Sequence, residues 1–339
     1  MTAPAQDLLA CRRVVKHFDI SGGLLEQLRW EGGRPVRRQT VVRAVNDVSL
    51  SVRRGETLAV VGESGCGKST LARCAVGLHP LTAGEILYAG ERVDNLTQRQ
   101  LLPFRRKVQM VFQDPYASLN PRMTVRQILE EPLRFHHPGL SATQARDRVA
   151  AVMQQAGVRP AWAGNYPHEF SGGQRQRISI ARALMVDPEF VVADEPISAL
   201  DVSIQAQILN LLMDMQDSRG LTYLFISHDL SVVEHISTRV AVMYLGTLCE
   251  LSPTADLFAA PLHPYAQALL SAIPRLGQAA AGHMRLSGDV PTPINLPPGC
   301  VFHGRCRHAQ ERCRTEIPAL RDLGGGRQAA CHGLEEGRI

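Results

Sequence analysis

The residues able to do chemistry begin at Gly62. The run Gly62-Glu63-Ser64-Gly65-Cys66-Gly67-Lys68-Ser69-Thr70 follows the apolar stretch Leu58-Ala59-Val60-Val61 and precedes Leu71-Ala72-Arg73, which opens a helix. With Gly62-x-x-x-x-Gly67-Lys68-Ser69 spacing, backbone N–H groups can turn inward around a phosphate. The helix N-terminus adds partial positive charge at the same place. Lys68 can reach β- and γ-phosphates, and the Ser69 hydroxyl can ligate Mg²⁺. The expected ligand is a nucleoside triphosphate.

Other reactive side chains also stand at the ends of apolar runs. Asp194 and Glu195 close Phe190-Val191-Val192-Ala193, Gln113 closes residues 108–112, and Ser227-His228 closes residues 222–226. A carboxylate at Asp194 reaches the Mg²⁺ held by Ser69, directly or through water. Glu195 is placed to polarise an attacking water. Gln113 can sense Mg²⁺ or that water, and His228 can hydrogen-bond a γ-phosphate. In open α/β sheets ligands sit beyond the carboxyl ends of the strands, so these ends can converge on one nucleotide. Ser171-Gly172-Gly173-Gln174, ahead of a helix with Ile178, Ala181 and Leu184 on one face, is a second anion site.

The elements that position these groups can be read in order. Residues 8–18 and 41–52 alternate as strands, separated by a Gly- and Arg-rich insertion at 21–39, a surface loop or short amphipathic segment. A hairpin arm is expected at 84–91. From Asp114 the character becomes helical to about residue 170, punctuated by Pro115, Asn120, Pro121 and Pro132, with Val149, Val152 and Met153 at helical spacing. An amphipathic helix follows at 204–215, and the last strand expected is 240–243. Leu262-His263-Pro264-Tyr265 begins a short helix to 273, and 274–299 is a Pro/Gly-rich connection.

A chain of 339 residues suits a main domain plus an appendage. Its 45% hydrophobic and 20% charged residues provide for a sizeable core. A net charge of +5 selects neither nucleic acid nor an anionic membrane. No run of about 18 apolar residues is present to span a bilayer. Met1-Thr2-Ala3-Pro4-Ala5-Gln6-Asp7 lacks the basic start and apolar core of a signal peptide.

Taken together, the motifs resemble those of ABC-type ATPases. Residues 62–70 are similar to their Walker A, 190–195 to Walker B, and Phe170-Ser171-Gly172-Gly173-Gln174 to their signature motif. Gln113 matches the Q-loop, Ser198 to Asp201 the D-loop, and His228 the switch histidine. The fold this implies is α/β, a P-loop nucleotide-binding domain with an inserted helical lobe and a small Cys-rich extension. Residues 1–113 and 177–258 would form the ATPase core with its antiparallel β arm, 114–176 the lobe with the signature motif, and 259–339 the extension. The resemblance also implies a head-to-tail dimer, with each ATP between one subunit's Walker A and the other's signature motif. Phe18 matches the aromatic that stacks on adenine, and Mg²⁺ would be held through Ser69, Gln113 and Asp194.

Within that family, Phe112-Gln113-Asp114-Pro115-Tyr116-Ala117-Ser118-Leu119-Asn120-Pro121-Arg122-Met123, the insertion after Phe18 and the cysteine tail resemble the second, F-type, ATP-binding subunit of oligopeptide and dipeptide importers. This implies two transmembrane permeases docking near residues 113–123, a homologous ATPase as the other half of a heterodimer, an external substrate-binding protein, and a place on the cytoplasmic face of the inner membrane. Nickel or glutathione-like cargo is an alternative. A soluble ABC ATPase acting on nucleic acid or ribosomes is disfavoured by the single cassette and mild charge. The tail spacing Cys300-x5-Cys306-x6-Cys313-x17-Cys331 leaves [4Fe–4S], Zn²⁺ and unligated thiols open. Some members of the importer subgroup carry an iron–sulfur cluster on a similar tail, which makes [4Fe–4S] the expectation.

Overall fold

The apolar runs flanking the reactive residues become the centre of one large sheet. The computed structural model describes residues 7–22, 27–31, 34–37, 39–273, 284, 286, 288 and 291–339. In chain order the strands are β1 (Asp7–Asp19), β2 (Leu28–Glu31), β3 (Arg34–Arg37), β4 (Val41–Arg53), β5 (Thr57–Val61), β6 (Ala83–Tyr88), β7 (Glu91–Arg92), β8 (Val108–Val111), β9 (Phe190–Asp194), β10 (Thr222–Ile226), β11 (Arg239–Tyr244), β12 (Thr247–Pro253), β13 (Arg321–Asp322) and β14 (Gln328–Ala329).

The main sheet runs β13-β14-β12-β11-β5-β10-β9-β8. Its strands β11, β5, β10, β9 and β8 are parallel. Every residue of β5, β9 and β10 is buried, as a sheet covered on both faces requires. The register sets Ile226 beside both Asp194 and Val60, and Val111 beside Ala193. The carboxyl ends are therefore level. Gly62, Gln113, Glu195 and His228 all leave the sheet at one edge.

A second, antiparallel sheet has the order β4-β1-β6-β7. The expected hairpin arm is its β6–β7 edge. In the insertion, expected to be a loop or amphipathic segment, β2 and β3 pair as an antiparallel hairpin; residues 23–26, 32–33 and 38 lie outside the described residues.

Between residues 114 and 184 the chain forms the helices Pro115–Ser118, Val125–His136 and Ala142–Gln155, two 3-10 turns, and the helix Gly172–Leu184. Thr124 with Gln127, Ser141 with Gln144, and Ser171 with Gln174 form capping boxes that satisfy helix-start N–H groups. Val149, Val152 and Met153 are buried as their spacing requires. Pro132 does not end a helix; it lies inside Val125–His136.

Strand structure continues beyond 240–243. β12 folds back antiparallel on β11 through Leu245 and Gly246, both at positive φ, a tight-hairpin geometry. The interior of β12 is buried throughout, and its charged residue Glu250 is tolerated there because it accepts N–H bonds from Leu262 and His263. β14 then pairs with β12, tying the tail into the main sheet. Among the described residues no helix is long and apolar enough to cross a membrane.

Candidate active site

A cleft of about 630 Å³ lies at the level strand ends. Ser64, Gly65, Gly67, Lys68, Ser69 and Thr70 form its floor, with Gln113, Glu195 and His228 facing them. Phe18 stands on the wall. Val42, Ala44 and Pro293 complete the lining, and nothing in their residue types announces a site. Pro293 is brought in by its carbonyl, which accepts the Arg43 N–H at 2.9 Å.

The loop geometry depends on two glycines. A Cβ on Gly67 would lie 2.0 Å from the Ala44 carbonyl oxygen, and one on Gly62 would lie 2.1 Å from that of Met243. Both residues also hold positive φ, which L side chains resist. Lys68 Nζ donates to the carbonyls of Gly62 at 2.7 Å and Glu63 at 3.0 Å, curling its ammonium back over the loop. Ser69 Oγ donates to Asp194 Oδ1 at 2.7 Å. Burial pushes the Asp194 carboxyl up from its ordinary value, and the Ser69 hydrogen bond opposes that.

Glu195 is the meeting point opposite. Gln113 Nε2 donates to Glu195 Oε2 at 3.0 Å, and His228 Nδ1 lies 3.2 Å from the same oxygen. Glu195 sits at φ 47, in the left-handed region. Its N–H bonds the Ile226 carbonyl at 3.0 Å, and its own carbonyl accepts from Ser198 Oγ at 3.1 Å. These bonds hold a backbone conformation that costs on the order of 1–3 kcal/mol.

A hydroxyl and a buried carboxylate are hard oxygen donors of the kind Mg²⁺ takes, alongside phosphate oxygens and waters. Ser69 and Asp194 therefore fit that ion; Gln113 is engaged with Glu195. Glu63 and Cys66 sit behind the floor and do not line the cleft. Ser171, Gly172, Gly173, Gln174 and Asp201 are also outside it, with Ser171 and Asp201 exposed. Gly173 has a reason within the chain: its Cβ would lie 2.5 Å from Ile204 Cγ2.

The tail thiols share a neighbourhood, and burial pushes Cys300 up to about 11. Among the described residues, however, no group of three or more His, Cys, Asp or Glu side chains is arranged to hold a metal ion. The arrangement of Cys300, Cys306, Cys313 and Cys331 thus does not support the expected [4Fe–4S] or Zn²⁺ site. Side chains staple this tail instead: Arg312 pairs with Glu316, Glu335 and Glu336.

A glycine-pinned phosphate loop facing a Glu–Gln–His cluster across level parallel strand ends defines a phosphate-loop nucleoside triphosphatase domain. The ABC transporter family model matches residues 45–198, and that of the oligopeptide/dipeptide transporter C-terminal region matches 249–313. The chain is 48% identical over 337 residues to the oligopeptide transport ATP-binding protein AppF of Bacillus subtilis, covering 98% of this chain and 99% of the relative. It is 47% identical over 332 residues to the dipeptide transport ATP-binding protein DppF of Escherichia coli, covering 98% and 96%. Among solved structures, the dimeric post-hydrolysis ATP-binding cassette MJ0796 bound to ADP and Pi superposes with TM-score 0.61 at 28% identity, over 73% of this chain and 98% of that one. The chain belongs to the ABC transporter ATP-binding proteins of the oligopeptide and dipeptide transport family. As a member it is an ATPase whose hydrolysis is coupled to transport.

Proposed function

We propose that this chain binds and hydrolyses ATP to drive a membrane importer of di- and oligopeptides. The observation that carries the hydrolytic part is the convergence of Gln113 and His228 on one oxygen of Glu195, across the cleft from Lys68 and Ser69. In this reading Lys68 neutralises phosphate charge while keeping its place on the Gly62 and Glu63 carbonyls. Ser69 and Asp194 hold Mg²⁺, which supplies charge neutralisation at the phosphates. Glu195 takes the proton of the attacking water, and Gln113 and His228 fix the orientation of its carboxylate. Phe18 stacks on the base.

The peptide cargo is supported by what the relatives are called and by the match to the transporter C-terminal region. The working parts are the core at 1–113 and 177–258, the lobe at 114–176 and the extension at 259–339. A second ATPase subunit supplies the anion site equivalent to residues 171–174, with Asp201 at the same face. The exposed position of that motif, outside its own chain's cleft, favours this reading. Permeases dock between core and lobe near residues 113–123; a groove of about 430 Å³ reaches Phe112, next to that segment, and Leu78 and Phe135 expose apolar surface along it. An external binding protein delivers the cargo at the outer face, and this chain works on the cytoplasmic face.

No step passes through the tail cysteines. Iron and zinc analysis of protein purified without oxygen tests their loading separately.

The test is peptide uptake into vesicles carrying the permeases, the partner ATPase and this chain. ATP-dependent uptake that Lys68→Ala abolishes is expected. Uptake of nickel or glutathione and not of peptides would reassign the cargo. Unchanged ATP hydrolysis in Lys68→Ala would overturn the site.

A further inference from the structure

The back of the phosphate loop is gripped by parts of the chain that never reach the nucleotide cleft. The Glu63 N–H donates to Tyr265 Oη at 2.9 Å. The Glu63 carboxylate accepts from Arg305 Nη1 at 2.7 Å, and the same nitrogen lies 3.4 Å from Tyr244 Oη. Side-chain exposure is 9% for Arg305 and 24% for Glu63, so the pair is largely withdrawn from water. A withdrawn pair holds its geometry, because releasing either partner strands a charge.

Arg305 is aimed by its surroundings. It ends the 3-10 turn His303–Arg305, and its N–H bonds the Phe302 carbonyl at 3.0 Å. The Phe302 ring wedges between Tyr244, Tyr265 and His263, with centroids 5.3, 5.4 and 5.7 Å away. Tyr244 and Tyr265 pack on each other at 4.7 Å. One aromatic block therefore fixes both tyrosine hydroxyls and the start of the Arg305 side chain.

The grip falls on the residue that sets Lys68. Both carbonyls that hold Lys68 Nζ belong to Gly62 and Glu63, and Ser64 and Gly65 of the cleft floor follow immediately. A turn of the Glu63 backbone would move the ammonium and the floor together. Such a shift misplaces the groups that hold the phosphates and so weakens nucleotide binding first.

We propose that Arg305 and Tyr265 are positioning residues that brace the phosphate loop through Glu63, making the C-terminal extension part of the nucleotide-binding machinery. The proposal rests on residues 62–70 being the ATP site and adds the element that holds that site in shape.

The experiment measures Mg-ATP affinity of the full chain, and kcat and KM in the assembled transporter. Variants are Arg305→Ala, Arg305→Lys, Tyr265→Phe, Glu63→Gln and the double Glu63→Gln/Arg305→Ala. Arg305→Ala is expected to raise Kd and KM for ATP about five-fold or more, with kcat at saturating ATP changed less than about two-fold. Arg305→Lys should recover most of the loss, and Tyr265→Phe should raise Kd in the same direction. In the Glu63→Gln background, Arg305→Ala should add little, since both act through one contact.

Affinities of Arg305→Ala and Tyr265→Phe within about two-fold of the parent would overturn the proposal. So would an Arg305→Ala effect of full size in the absence of the Glu63 carboxylate. If Arg305→Ala does not fold, Tyr265→Phe, which removes one oxygen, decides. Lys68→Ala separates the two readings. If it binds ATP like the parent, the site itself is misassigned; if it fails while the brace variants bind normally, only the brace falls.

Discussion

Ser69 Oγ and Asp194 Oδ1 meet at 2.7 Å, joining the first turn after the phosphate loop to the end of β9. Asp194 is buried, and desolvation raises its pKa. A bound cation would relieve that burden. Asp194→Asn keeps the shape and an acceptor for Ser69 while removing the charge. Mg²⁺ should then strengthen ATP binding about ten-fold less than in the parent, with affinity in EDTA unchanged. Titrations with and without Mg²⁺ check this. A folded-state carboxyl raised above its unfolded value makes the apo protein less stable as pH rises through the carboxylate range. Asp194→Asn should remove that slope in thermal melts.

Glu195→Gln keeps the contacts of Gln113 and His228 within reach but cannot take up a proton. Hydrolysis should fall by about 10² or more while ATP binding survives. An ATP-bound dimer with the partner subunit should accumulate, visible by size-exclusion chromatography. Turnover within a few-fold of the parent would remove Glu195 from the base role.

Gly67→Ala places a Cβ 2.0 Å from the Ala44 carbonyl oxygen at φ 100. Neither β4 nor the loop can yield without losing its hydrogen bonds. A stability loss of about 1–3 kcal/mol and a loss of ATP binding are expected. Denaturant titration and nucleotide titration measure the two separately.

His263 is buried at the start of helix Pro264–Ser271, where its Nδ1 accepts the Tyr265 N–H at 3.1 Å. Burial lowers its pKa from 6.5 to about 4. Below 6.5 the unfolded chain takes a proton that the folded chain refuses, so stability falls as pH drops from about 6.5 towards 4 and levels off below. At 1.36 kcal/mol per unit this amounts to about 3 kcal/mol. His263→Asn retains a capping acceptor and does not titrate. Its unfolding midpoint should depend less on pH across that window.

Much of the site is legible in the chain because its chemistry is local to strand ends. An apolar run followed at once by Gly62, Gln113, Asp194-Glu195 or Ser227-His228 states both the strand and the polar group at its tip. Parallel pairing then has to bring the tips level, which the register does. The helical spacing of Val149, Val152 and Met153 is local in the same sense. β12 was not legible, because Glu250 is a charged residue made tolerable inside by N–H groups of Leu262 and His263.

What the sequence determined by itself, then, was the phosphate loop, the placement of Asp194 and Glu195 at a strand end and the family, since each depends on neighbours a few residues away. Only the tertiary structure decided what lies around and behind them. Val42, Ala44 and Pro293 join the cleft from distant segments. The tail cysteines Cys300, Cys306, Cys313 and Cys331, for which the family resemblance implied a [4Fe–4S] cluster, form no metal-holding group among the described residues. Glu63, which follows the first glycine of the loop, is held by Tyr265 and Arg305 from more than 200 residues away. Contacts over such separations are set by how the aromatic block of Tyr244, Tyr265 and Phe302 packs against the sheet, and packing leaves no periodic signal in the chain.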